Sequence, residues 1–309
     1  MTRPMMQAMR YHEFGAADVM RLEEVPRPEP QAGEVLVRVV AAGVLPADWK
    51  LRKGLFPMPV RFPVIPGTAF AGIVEETAPG VTDFRPGQAV FGRSPNGTYA
   101  EFAAVPAEAI AAKPPGIGFE EAAAVSGGAT TAWRAIMDGE VKPGDRVLIH
   151  GAAGGVGLFA VQFAKWKGAH VVGTAGPANL DFIRSLGADA AVDYTAEPFE
   201  NAAQDVDFVL DTIGGKTLER SWTVVKRGGA LITITGRPPI EKGLETGVRI
   251  IKPSLASGDD LAAIAGLLEQ GIVRAIVQRS YPLGEARLAQ EQSESGHGRG
   301  RIVLRISEA

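Results

Sequence analysis

The stretch Arg146–Ala175, RVLIHGAAGGVGLFAVQFAKWKGAHVVGTA, decides the fold. It begins with an apolar run, Val147-Leu148-Ile149, of the kind a buried strand needs. A glycine loop follows, with Gly151, Gly154, Gly155 and Gly157. Val156, Phe159, Ala160, Phe163 and Ala164 then recur at the helical period, and Val171-Val172 opens a second strand. The unit closes about 30 residues after it began, the length of a strand–helix–strand crossover. A dinucleotide pyrophosphate must approach bare backbone at a helix N-terminus, where unpaired N–H groups and the helix dipole favour anions. Glycine removes the side chains that would block that approach. Ala152, Gly154 and Gly157 occupy the three positions of the G-x-G-x-x-G spacing. The spacing is weak evidence alone and strong inside this context, so the stretch predicts a dinucleotide site.

Outward from it, 309 residues suffice for two domains. With 32 basic and 35 acidic residues the net charge is −3, which points to neither nucleic acid nor an anionic membrane as partner. No apolar run is long enough to span a bilayer. The opening MTRPMMQAMRYHE lacks the apolar core of a signal peptide. These features predict a soluble cytoplasmic protein. Cysteine is absent, so disulfides and thiolate zinc sites are excluded.

Residues 5–125 carry short strand patterns between proline–glycine turns: Glu34–Val40, Ala69–Glu75, Gln88–Phe91 and Thr98–Val105. They predict a partly closed antiparallel β domain, interrupted by a helix over Pro46–Gly54. Phe119–Asp138 reads as helical, broken at Gly127-Gly128. Beyond Ala175, helices are predicted over Asn179–Leu186, Lys216–Val225 and Asp259–Gln270. Strands are predicted over Ala190–Val192, Val206–Asp211 and Ala230–Thr235. This alternation argues a doubly wound parallel sheet. The tail Arg301–Ile306 alternates as a half-buried strand and is predicted to return to the N-terminal β domain. His150 and His170 read as packed or surface histidines, and Asp48 with Arg52 as a local i,i+4 ion pair.

Several segments together resemble the zinc-free quinone oxidoreductase branch of the medium-chain dehydrogenase/reductase superfamily. They are Ala42–Lys50 (AGVLPADWK), Phe62–Gly72 (FPVIPGTAFAG), Asp83–Gly92 (DFRPGQAVFG), His150–Gly157 and Gly296–Leu304 (GHGRGRIVL). The resemblance implies an α/β fold: a GroES-like β domain over 1–122, completed by 268–309, and an inserted Rossmann domain over 123–267. It implies NADPH, hydride transfer to a quinone or α,β-unsaturated carbonyl, and a homodimer. With only four histidines and no cysteine, the metal ligands of zinc-dependent relatives are lacking. Without a Lewis acid, reducing an activated acceptor is easier than oxidising an alcohol.

Dinucleotide sites for NAD place an acidic residue at the end of the second strand. Here that place reads Gly173-Thr174-Ala175-Gly176, and no carboxylate repels a 2′-phosphate, which favours NADPH. The cofactor contacts expected are Ala153, Gly154, Gly155, Val156 and Gly157 in the loop, and Thr174 and Ala175 at the strand end. In similar proteins a tyrosine matching Tyr194 contacts the phosphate; Arg184 and Arg299 are the basic candidates. Thr131 matches a position near the nicotinamide, and Thr235 and Gly236, in the stretch Ile234–Arg237, end a strand facing the cofactor. For the acceptor, Leu45 stands where this branch has asparagine, and Val44 where enoyl-thioester reductases have tyrosine. Lys50 stands where relatives have tyrosine, and is the candidate to orient an acceptor or act as an acid, with solvent read as the proton source. The acceptor pocket is expected from Leu51–Val60 and from residues 237–258. An enoyl-thioester reductase and a non-catalytic NADPH-binding sensor are the alternatives.

Overall fold

The computed structural model describes residues 3–57, 59–236, 240–296 and 298–308. The chain runs β1 (Met5–Arg10), β2 (Arg21–Pro26), β3 (Glu34–Val44), α1 (Pro46–Arg52), β4 (Ala69–Thr77), β5 (Ala89–Arg93), β6 (Phe102–Pro106) and β7 (Ile110–Ala112). It continues through α2 (Phe119–Asp138), β8 (Arg146–Ile149), α3 (Gly157–Trp166), β9 (His170–Ala175), α4 (Leu180–Ser185), β10 (Ala190–Asp193), β11 (Val206–Asp211) and α5 (Gly215–Ser221). It ends with β12 (Val225–Thr233), α6 (Ile240–Thr246), β13 (Arg249–Ile250), α7 (Gly258–Glu269), β14 (Val277–Pro282), α8 (Ala286–Glu294) and β15 (Arg301–Arg305). The first unit comprises Met1–Gly127, Ser257–Gly271 and Ala275–Ala309; the second comprises Gly128–Ala256 and Ile272–Arg274. Helix α7, placed by the sequence reading largely with the nucleotide domain, groups with the first unit. Its Gly258 lies so close to the start of β7 that a Cβ there would meet the carbonyl oxygens of Glu108, in the turn before that strand, at 2.9 Å and of Ile110 at 3.3 Å.

The first unit is built on a sheet ordered β14-β15-β3-β4-β5-β7, with β6 also paired to β3. β15 lies antiparallel to β3, with Ile302 opposite Val44, so the tail does return to the N-terminal strands. β1 and β2 form a separate antiparallel pair. Apolar clusters hold the unit, among them Val35, Val37, Val39, Phe70 and Val90, then Met9, Met20, Ala42, Tyr99 and Leu304, and a smaller one of Met6, Ala8, Val25 and Ala100.

The second unit carries a parallel sheet in the order β10-β9-β8-β11-β12-β13. From β8 the chain winds outward to β10, then crosses back to β11 and winds the other way. This is the Rossmann arrangement, with its topological switch between β8 and β11. Leu148, Val172, Val209 and Leu231 sit in the core of that sheet.

Two sequence expectations are corrected. Helix α2 is continuous through Gly127-Gly128. Gly127 serves packing: a Cβ there would run into the Leu45 side chain. Helix α5 ends at Ser221, and Val225 already belongs to β12, which ends at Thr233. The apolar Trp222, Val224 and Val225 pack into the sheet core, so tertiary burial overrides the local helical pattern. No helix among the described residues is long and apolar enough to cross a membrane.

Candidate functional site

In the second unit the parallel register brings the predicted residues to one end of the sheet. Gly151–Val156 follow β8, Thr174 and Ala175 end β9, Tyr194 follows β10, and Thr235 and Gly236 follow β12. The carboxyl ends beside a switch point are where open α/β sheets bind ligands. The glycine loop pivots on one carbonyl. Gly151 has φ +66 and its oxygen accepts from Gly154 N–H at 2.9 Å. A Cβ at Gly154 would lie 3.2 Å from that oxygen, and one at Gly157 would be driven into it. Ala152 is tolerated at the first position because its Cβ faces Gly173 on β9, where an added Cβ would sit only 2.9 Å away. No side chain caps α3. The amides of Leu158, Phe159 and Ala160 are taken by the carbonyls of Gly154 and Val156, whereas those of Gly155, Val156 and Gly157 have no acceptor among the described residues and are open to water or an anion. A side chain at 157 would push the start of α3 off the Gly151–Ala152 backbone and undo the close loop–helix approach that a pyrophosphate site needs.

The neighbouring turns are fixed by buried side chains. Asp211, fully buried, accepts from the amides of Ile213 (3.1 Å) and Gly214 (2.9 Å) and from Thr233 Oγ1 (2.7 Å). Thr233 and Thr235 hydroxyls lie 3.1 Å apart. The loops after β11 and β12 are thereby tied together. Large side chains stay open at the ends of these strands: Tyr194 is 65 %, Ile213 56 % and Ile234 36 % exposed. Such faces suit flat rings.

Arg184 is engaged by Asp181 at 2.8 Å. Tyr194 lies near Gly176, whose added Cβ would be 3.8 Å from the phenol oxygen. Thr131 sits half-buried within α2. Arg299 lies exposed on the first unit, just before β15. Arg237 and His297 lie outside the described residues.

In the first unit, Lys50 projects from α1 half-buried, its Nζ 5.5 Å from the Trp49 ring centroid. The ion pair expected between Asp48 and Arg52 is replaced by other partners. Asp48 Oδ2 accepts from Leu45 N–H (2.8 Å), capping α1, and from the Tyr99 hydroxyl (2.9 Å). Arg52, fully buried, donates to Gln290 Oε1 (2.7 Å) and the Gly15 carbonyl (2.6 Å). Burial pushes the Asp48 carboxyl up to about 6, against the pull of its donors and of Arg301 and Arg93. Burial likewise pushes Arg301 down to about 10. Of the expected acceptor-pocket stretch, Leu55 is 61 % exposed; Met58 lies outside the described residues.

Sequence reasoning missed His150 as a builder of the nucleotide end. It is buried, with Nδ1 3.1 Å from Thr174 Oγ1 and Nε2 3.0 Å from Ser221 Oγ. Burial pushes its imidazole down to about 4. Its partners are remote in sequence, so no local pattern signals them. Among the described residues no three His, Asp or Glu side chains gather to hold a metal.

The fold and this loop define a two-domain nicotinamide-dependent oxidoreductase architecture. Residues 31–116 match the alcohol dehydrogenase GroES-like domain and residues 186–304 the zinc-binding dehydrogenase family. The chain belongs to the quinone oxidoreductase-like branch of the medium-chain dehydrogenase/reductase superfamily. It is 33 % identical to the NADPH-dependent alkenal/one oxidoreductase, chloroplastic, of Arabidopsis thaliana, over 97 % of this chain and 79 % of that one. The quinone oxidoreductase structure from Coxiella burnetii superposes with a TM-score of 0.92 at 31 % identity, covering 98 % and 100 % of the two chains. The Escherichia coli quinone oxidoreductase complexed with NADPH superposes with a TM-score of 0.88 at 29 % identity, covering 96 % and 99 %.

Proposed function

We propose that this oxidoreductase uses NADPH to reduce a quinone or an α,β-unsaturated carbonyl, without a metal. The observation that carries the reading is the cradle at Gly151–Gly157: bare backbone that leaves the amides of Gly155, Val156 and Gly157 without an acceptor among the described residues at the start of α3. Ala153, Gly154, Gly155, Val156 and Gly157 would receive the pyrophosphate there. Thr235 and Gly236 would line the same end of the sheet, as would Ala175, where no carboxylate opposes a 2′-phosphate. Tyr194 and Arg299 are assigned to the phosphate, and Thr131 to the nicotinamide side, on family likeness alone. The nucleotide, when bound, supplies the hydride. The chain supplies position, and Lys50 orients the acceptor while solvent delivers the proton. The names of the relatives favour this acceptor class over an enoyl-thioester. The homodimer and the cytoplasmic location belong to the same reading and rest on that likeness and on composition.

NADPH oxidation is to be followed with a panel of quinones and enones. Turnover with at least one, and a higher kcat/KM for NADPH than for NADH, is expected. Tight NADPH binding with no turnover on any acceptor would make the protein a sensor. Lys50→Met should retain turnover, with at most about a tenfold loss, the scale of one modest polar contact. Abolished turnover with intact NADPH binding would instead make Lys50 the acid.

A further inference from the structure

His150 belongs to no step of the proposed reaction, yet it is buried to 1 % exposure directly before the glycine loop. Its hydrogen bonds have a direction that the surroundings dictate. Ser221 Oγ donates its proton to the Thr217 carbonyl (2.7 Å), so it can only accept from His150 Nε2–H (3.0 Å). The imidazole therefore carries its proton on Nε2, and Nδ1 accepts from the Thr174 hydroxyl (3.1 Å). Thr174 Oγ1 in turn accepts from Gly151 N–H (3.4 Å). The relay runs from α5 through the imidazole to the residue whose carbonyl forms the pivot of the cradle. The His150 backbone is fixed as well: its N–H donates to Leu210 O (2.9 Å) and its carbonyl accepts from Thr212 Oγ1 (2.7 Å). Phe199 closes one side, its ring 4.6 Å from the imidazole in edge contact.

We infer that His150 is a positioning residue for the dinucleotide: through Thr174 it holds Gly151, and thereby sets the shape of the phosphate cradle. This rests on the proposed dinucleotide site. It also reassigns Thr174, whose buried hydroxyl is spent on the relay and holds the loop from behind. The charged groups around the imidazole are Asp211, Glu200 and Arg220. Its downward shift keeps it neutral through the working range, so the relay does not switch with pH there.

The test separates the two arms of the ring. Asn at 150 places an acceptor near the position of Nδ1 and can restore the Thr174 arm alone. Gln reaches toward Ser221 and can restore only the other. Dissociation constants for NADPH are measured for the wild type, H150L, H150N, H150Q, T174V and H150L/T174V, together with Tm. We expect H150L, H150Q and T174V, which all break the link between the imidazole and Thr174, each to weaken NADPH about fivefold or more, the scale of one hydrogen bond. The double variant should bind no worse than the weaker single one. H150N should recover affinity to within about twofold although its Tm is lowered like that of H150Q, an ordering that stability alone does not produce. Wild-type affinity in H150L or T174V, losses that add, or affinities that simply follow Tm would overturn the inference. A wild type that binds no NADPH would overturn the proposed function with it, whereas unaffected variants of a binding wild type would overturn only the role of His150.

Discussion

The two units bury polar side chains in different ways. Around the nucleotide end, His150, Thr174, Ser221, Asp211 and Thr233 are all buried, and each is hydrogen-bonded. In the β unit, Asp48, Arg52, Tyr99, Gln290 and Arg301 are also buried. Yet the buried side-chain atoms without a partner, among the described residues, all lie in that unit: Tyr11 Oη, Trp49 Nε1, Thr68 Oγ1, Gln290 Nε2, and Nε and Nη2 of Arg301. The chemistry of the groups explains the contrast. Hydroxyls and a neutral imidazole both donate and accept, so a chain of them can close on backbone at each end. Guanidinium only donates and carboxylate only accepts, and Asp48 is a single carboxylate facing both Arg301 and Arg93. The nucleotide end is therefore a satisfied, rigid network, and the β unit holds an electrostatically strained one.

Breaking the strained network should give the largest effect. Asp48→Ala removes the shared acceptor of the Leu45 N–H and the Tyr99 hydroxyl. A loss of about 3–5 kcal/mol is expected in denaturant unfolding, because two buried donors are left unsatisfied. A loss below about 1 kcal/mol would show that both donors find other acceptors.

A second effect is linked to pH. Burial raises Asp48 from 3.8 to about 6, so the fold prefers its neutral form. Its contribution to stability is fully present below about pH 4 and is lost as pH rises through 6. Glu23, Asp138, Asp189, Glu200 and Asp207 are shifted the other way and mask this in the whole protein. The difference between Asp48→Asn and wild type isolates it. Relative to wild type, the Asn variant should gain up to roughly 3 kcal/mol between pH 4 and pH 7. A flat difference would show that Asp48 titrates normally.

The same contrast governs what could be read from the chain alone. The glycine loop was legible because its requirement is local: the bare backbone from Gly151 to Gly157 is written in consecutive residues. The crossover strands β8 and β9 and the closing strand β15 followed from their periodicity. Gly127 reads as a helix break from local sequence because its partner, Leu45, is far away in the chain. Asp48 and Arg52 read as a pair because spacing cannot reveal that Tyr99 and Gln290 compete for them. Spacing likewise shows His150 as a packed or surface histidine and no more, with Thr174 and Ser221 on other elements. Loops are legible where backbone alone sets the rule, and buried polar networks are not.

The smallest effects supply the sharpest comparison, because they should differ in sign. Thr233→Val removes a buried hydroxyl that donates to Asp211 Oδ2 at 2.7 Å. It leaves a carboxylate short of a donor and should cost about 1–2 kcal/mol. Tyr11→Phe removes a buried hydroxyl with no partner, on a side chain that is fully enclosed. Burying that group carries a desolvation penalty with no bond to offset it, so its removal should be neutral or stabilise by up to about 1 kcal/mol. Both substitutions delete one buried oxygen, and urea unfolding at one pH compares them directly. Equal losses would mean that Tyr11 is bonded in solution and that the two units satisfy their buried groups alike. Opposite signs would locate the strain of this molecule in the β unit, away from the cradle.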